Sequence, residues 1–219
     1  IEPDGGRCAL ATLHAQVQNQ GDAWTVTSGY LDRFVEEQRL LHDGESAEQP
    51  ALRQTAPIGR RLAELHLALA SGASDPDFVP EHIRERDWKR WTEEIIDSAE
   101  RALDVLKLRR QDLHEFDRPL IEQFAAQKAS LPRLLDRLAP RGHELSAIRH
   151  HGNFALGQVL IVKDDVFITG FEGEAGCPLT QRRRKMPAVR DVAGLIHSID
   201  AAAAAAQQRA LKVAPDDQG

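Results

Sequence analysis

The residues best suited to chemistry lie in two short runs. The first is His150-His151-Gly152-Asn153-Phe154-Ala155-Leu156-Gly157-Gln158-Val159-Leu160, and ten residues later comes Gly170-Phe171-Glu172-Gly173-Glu174. Moving a phosphoryl group onto a hydroxyl takes a carboxylate to accept the proton and a second acid to hold a divalent cation. A further oxygen ligand completes the metal site. A loop between short strands can carry all three, because it sets side chains at one mouth of a rigid scaffold. Here the order is His151-Gly152-Asn153, an amide at Gln158 five residues on, then Gly170-Phe171-Glu172-Gly173. The spacing suits that chemistry. Asn153 is an amide and Gly170 a glycine, so neither supplies a carboxylate.

Such loops need a scaffold, and the hydrophobic periodicity supplies one. Residues 8–17 read as a buried strand and 18–22 as a polar connector with turn chemistry. From 24 to 41, Val26, Tyr30 and Phe34 recur at helical spacing. Residues 43–54 are polar and loop-like. Pro57 and Gly72 bracket a second helix over 57–71, with Ile58, Leu62, Leu65 and Leu69 on one face. Pro76 and Pro80 make 72–86 irregular. The strongest helical pattern spans 88–110, where Trp88, Trp91, Ile95, Ala99, Leu103 and Leu106 recur at threes and fours. Another helix spans 119–138, interrupted near Pro132, which cannot donate a backbone hydrogen bond.

Beyond a break at 140–143 the period changes. Residues 147–150 are short and extended. Two β-rich runs, 159–162 and 166–169, flank Lys163-Asp164-Asp165 as a tight hairpin. Residues 188–213 return to helix, with an alanine run at 201–206 of high intrinsic propensity, before a polar tail. The fold class expected is mainly α with a small β-hairpin (α+β).

Composition narrows the field. The chain has 219 residues, 42% apolar and 28% charged, as in an ordinary globular domain long enough to bury a core. A net charge of −6 gives no overall electrostatic footprint for nucleic acid or an anionic membrane. Cys8 and Cys177 are far apart, which argues against a disulfide framework and suits a reducing cytoplasm. No apolar run reaches a membrane-spanning length, and no export signal is seen. The start at Ile1 suggests a piece of a longer polypeptide.

The loop order resembles the general kinase pattern of His-x-Asp, an amide about five residues on, and Asp-Phe-Gly after a hairpin. More specifically, the chain resembles the maltokinases, which share the fold of the aminoglycoside phosphotransferases and often follow a trehalose synthase domain. In that family the first loop reads His-Gly-Asp-x-His-Leu-Gly-Gln-Val-Leu and the second Asp-Phe-Glu-Gly-Glu-Pro. Further matches are Asn19-Gln20-Gly21-Asp22-Ala23-Trp24 for the hinge and Gly59-Arg60-Arg61-Leu62-Ala63-Glu64-Leu65-His66 for the helix after it. Arg182-Arg183-Arg184-Lys185 followed by Arg190-Asp191-Val192-Ala193-Gly194-Leu195 matches the next block.

The resemblance implies a kinase-like C-terminal lobe. Residues 1–22 would end the N-terminal lobe and form the hinge, and 23–219 would form the helical lobe, incomplete at both ends. It implies ATP-dependent phosphorylation of maltose with Mg2+, ATP being held by a lobe upstream of Ile1. Carried over, Gln158 is a metal ligand, His151 and Gly152 shape the loop, Asn153 occupies the base position and Gly170 the second metal position. Ala155, Ala175 and Ala201 replace a family histidine, proline and tyrosine.

An amide cannot take a proton, and losing a general base costs about 10²–10⁴ in rate. Gly170 offers no side-chain oxygen to a metal. The expectation is a near-inactive relative. One rival is a non-catalytic binding or scaffold module of a trehalose synthase fusion. Another is a phosphotransferase in which Glu172 or Glu174 replaces the missing acid.

Simpler roles compete for the same residues. Adjacent His150 and His151 cannot both face one metal from a helix, so a histidine bracing the loop is favoured over a zinc site. Arg182 to Lys185 reads as a solvated, salt-bridged face, and Trp88 with Trp91 as core. Glu172 and Glu174 could instead pair with Arg190.

Overall fold

The computed structural model of the chain describes residues 13–40, 55–72, 75–112, 117–139 and 145–213. These form seven α-helices and two separate antiparallel strand pairs among the described residues. Helices α1 (Ala23–Leu40), α2 (Thr55–Leu69), α3 (Glu85–Leu108), α4 (Asp117–Gln127) and α5 (Leu131–Leu138) precede the loops, and α6 (Leu179–Arg182) and α7 (Val189–Val213) follow them. Strand β1 (Glu81–His82) pairs with β2 (Ser146–Ala147), and β3 (Val159–Val162) with β4 (Asp165–Ile168). Among the described residues no helix is long and apolar enough to cross a bilayer.

The expected hairpin forms with Val162 opposite Asp165 and Lys163 in the left-handed region at φ 55. Its alternation places Val159, Ile161 and Val166 inward, where they join Ala23, Ile58, Leu62, Phe154, Leu156 and Ala202 in one core. Burying a side chain such as Phe154 or Ile58 contributes about 1.5–3 kcal/mol. Both lie against the hairpin that carries the two loops, so the core positions those loops directly.

The strand expected over 8–17 is not formed by residues 13–17; residues 8–12 lie outside the described residues. Leu13 is fully exposed, and a strand without a neighbour leaves its backbone groups unpaired. Pairing begins only at the connector: Gln20 donates to the Ile161 carbonyl at 2.9 Å, and Ile161 returns a bond to the Gly21 carbonyl at 2.9 Å. Asp22 then caps α1, accepting from the Thr25 amide at 2.8 Å.

Helix α1 lies against α7. Its most buried positions are Ala23 and Thr27, whereas Val26, Tyr30 and Phe34 are only half-buried. On α7, Ala202 and Ala206 are buried. The alanine run is thus a surface for close helix approach as well as a helix former.

Two other expectations shift. The break in the fourth helical segment falls at a 3-10 turn, Lys128–Ser130, and Pro132 sits in the first turn of α5. There its missing N–H costs nothing, because first-turn amides have no intrahelical partner. Ile95, expected on the buried face of α3, is about half-exposed, while Trp91 and Leu103 are buried. The loop expected at 43–54, the break at 140–143 and the tail beyond 213 lie outside the described residues.

Candidate active site

The first loop is built around one buried carboxylate. Asp191, in the first turn of α7, is 1% exposed. Its Oδ1 accepts the Gly152 amide at 2.9 Å, and its Oδ2 accepts the His151 amide at 2.8 Å. His66 Nε2, from α2, lies 2.8 Å from the same Oδ2. Burial opposes the charged form of Asp191. The His66 contact and the two backbone amides outweigh it and hold the carboxyl below its ordinary range. Three segments distant in sequence are thereby pinned to one residue.

His151 extends the clamp to the hairpin. Its Nε2 lies 2.8 Å from the Thr169 carbonyl, which can only accept, so Nε2 carries the proton. Nδ1 is then free to accept the Asn153 amide, at 3.4 Å. The ring packs edge-on against Phe154 at 5.3 Å and tilted against Phe171 at 5.2 Å. His151 therefore couples both loops, the bracing role expected for it. Gly152 takes φ 84, a backbone conformation natural to glycine. Leu156 completes the anchoring, its amide donating to the buried Ser198 of α7 at 3.1 Å.

His150 differs from its neighbour. Its Nδ1 is buried without a partner among the described residues, and burial pushes its pKa below the usual value.

At the end of the hairpin Thr169 donates its amide to the Gln158 carbonyl at 2.8 Å, which sets Gln158 beside Gly170. Gly170 takes φ 77, and a Cβ added there would collide with Gln158 Oε1. The amide side chain fills the space that a residue at 170 would need. Downstream, Arg182 fastens the second loop through backbone carbonyls, donating to Cys177 at 2.7 Å, Ala175 at 2.8 Å and Glu172 at 3.4 Å. The Glu174 carboxylate accepts the Cys177 thiol at 3.4 Å.

The residues singled out from the sequence therefore separate into distinct environments. Gln158 and Gly170 are in contact. Asn153 is exposed on the first loop, its side chain making no hydrogen bond to a described residue. Glu172 and Glu174 belong to the Arg182-stapled loop. Among the described residues no group of three His, Cys, Asp or Glu side chains is arranged to hold a metal ion. The donor set available at Gly170 is one neutral amide oxygen, a poor match for Mg2+, which favours carboxylates and phosphates.

The cationic run is less solvated than expected. Arg184 pairs with Glu94 at 2.7 Å, and Lys185 reaches the Pro76 and Val79 carbonyls and Glu81. Asp191, His66, Thr169 and Ser198 carry the site, yet the spacing argument did not assign them roles. The Arg190-Asp191 match was the available signal for Asp191.

Beside the first loop a cavity of about 330 Å³ opens between residues 152–155 and α7, with Asn153, Arg190 and His197 on its wall. At Gly194 the helix meets the loop directly: a Cβ there would lie 2.6 Å from the Phe154 carbonyl oxygen.

No protein-family model matches the chain. It is 27% identical over 191 residues to a glucosamine kinase from Streptacidiphilus jiangxiensis, an alignment covering 87% of this chain and 38% of that protein. A solved glucosamine kinase, crystal form B, superimposes with a TM-score of 0.67 at 20% identity, over 86% of this chain and 40% of that one. A glucosamine kinase in complex with glucosamine, ADP and inorganic phosphate gives 0.65 at 22% identity, over 90% and 42%. The chain shares the fold of these structures and spans about two fifths of their length.

Proposed function

We propose that this chain is the kinase-like C-terminal lobe of a sugar phosphotransferase, and that it keeps the cavity for the sugar while lacking the groups that transfer phosphate. The observation that carries the reading is the contrast within one site. The loop backbone at His151 and Gly152 is fully clamped on Asp191, while the residue it presents is Asn153. An amide can hydrogen-bond a sugar hydroxyl but cannot take its proton. Gln158 packed into the Gly170 space supports the same reading, since a cation would have to displace it and would gain only one neutral oxygen.

ATP and Mg2+ are implied by the resemblance. The similar glucosamine kinases make glucosamine one acceptor to test, and the sequence resemblance makes maltose another.

The test is calorimetric titration of the whole chain with glucose, maltose and glucosamine, alongside a coupled ATP and Mg2+ turnover assay. Sugar binding weakened by Asn153→Ala, without turnover, is the expected result. Turnover that depends on Glu172 or Glu174 would sink the proposal and favour a rebuilt catalytic site. Restoring acids with Asn153→Asp and Gly170→Asp should raise Mn2+ affinity, read by electron paramagnetic resonance independently of activity.

A further inference from the structure

The cavity beside Asn153 has a charge character that bears on what it holds. Its wall on α7 is the stripe Arg190, Gly194, His197 and Ala201, spaced so that all four lie on one face of the helix. Gly194 lets the helix meet the loop backbone at Phe154, and Ala201 presents only a methyl group to the cavity. The volume of about 330 Å³ falls at the lower end of the range for small-molecule sites, about 300–1,000 Å³.

The polar groups around this space are unevenly signed. Arg190 is exposed and its guanidinium makes no hydrogen bond to a described residue. His197 on the same wall and Asn153 on the facing loop are also exposed. Among the described lining residues the one carboxylate is Asp191, and it faces inward: both oxygens are occupied by Gly152, His151 and His66, and 1% of the residue is exposed. A protonated amine entering the cavity would meet Arg190 and find no free carboxylate. A carboxylate or phosphate would meet a planar guanidinium able to bind it through two N–H groups. The chain as a whole is net acidic, at −6, so this local character is not a general feature of the surface.

Resting on the reading of this cavity as the sugar site, we propose that it takes a carbohydrate bearing an anionic group, held by Arg190 and oriented through its hydroxyls by Asn153 and His197. A cationic amino sugar is disfavoured. The discrimination comes from the missing carboxylate as much as from the arginine present.

Calorimetry on the whole chain tests this with glucose, glucosamine, glucose 6-phosphate, glucuronate and inorganic phosphate. The phosphorylated or the carboxylated sugar should bind about tenfold more tightly than glucose, and glucosamine more weakly than glucose. The two anionic sugars reveal whether phosphate or carboxylate is the recognised group. Arg190→Met should remove the advantage and Arg190→Lys should keep part of it, with circular dichroism unchanged because Arg190 is exposed. Equal binding of neutral and anionic sugars, or tighter binding of glucosamine, overturns the charge inference and leaves the sugar site intact. Inorganic phosphate binding as tightly as glucose 6-phosphate overturns it too, since the sugar would then contribute nothing. If no carbohydrate binds, both this inference and the sugar-site reading fail.

Discussion

The two loops sit side by side and are held in opposite ways. The loop at His151 and Gly152 hangs from a buried side chain, Asp191, whose carboxylate gathers two backbone amides and His66. The loop at 170–177 is held from outside, by Arg182 reaching three backbone carbonyls. The first anchor is buried and charged, so its bonds are strong and costly to break. The second is partly exposed and made to neutral acceptors. Anchoring and presented group are thus separable: the firmest anchoring in the site supports a position, Asn153, that carries an amide and not an acid.

The largest expected effect breaks the buried anchor. Asp191→Ala leaves two loop amides and His66 without their acceptor and should cost about 3–5 kcal/mol, read from the midpoint of urea unfolding. Arg182→Ala, at the exposed anchor, should cost much less. If both substitutions cost the same, the contrast between the loops is wrong.

Two glycines sharpen the comparison at smaller scale. Gly194→Ala drives a Cβ to 2.6 Å from the Phe154 carbonyl oxygen, backbone that the clamp prevents from yielding, at about 2 kcal/mol. Gly170→Ala meets the end of a flexible side chain, Gln158, which can swing away. Its cost should be nearer 1 kcal/mol, from the left-handed backbone at φ 77. Paired unfolding curves decide the order, and the reverse order would mean that Gln158 is the rigid partner.

The smallest effect is a pH dependence. Burial lowers the pKa of His150 from its ordinary 6.5, against the pull of Asp191 and with Arg190 and His66 adding to the lowering. As pH falls below 6.5 the unfolded chain takes up this proton before the folded one does, so stability declines. The Asp191 carboxyl is lowered too; its contribution is present above the ordinary carboxylate range and is lost only as pH falls through its folded value. His150→Gln should therefore flatten the stability profile just below pH 6.5 and leave the more acidic limb unchanged. An unchanged profile there would show that His150 is not the group responsible.

Much of the scaffold was legible in the sequence. Helical periodicity located the long helices to within a few residues but not the one-turn α6, and the β-rich runs around Lys163-Asp164 gave the hairpin, because both signals are local. The strand expected at 8–17 failed over its described part because strand formation depends on a neighbour, which no local pattern records. Pro132 was read as a helix breaker, but it opens α5, since its effect depends on whether it falls inside a helix or in the first turn.

The site divides along the same line. Residue identities alone established that Asn153 cannot act as a base and that Gly170 offers no ligand, because side-chain chemistry is fixed by residue type. Tertiary structure decided that Asp191 joins His66 to residues some forty positions before it in the loop, and that Gln158 occupies the Gly170 space. It also decided that Arg190 and His197 line a cavity whose one carboxylate among the described residues, Asp191, is taken up by the loop. Those facts depend on which distant segments the core brings together, and hydrogen-bond geometry exists only once they meet.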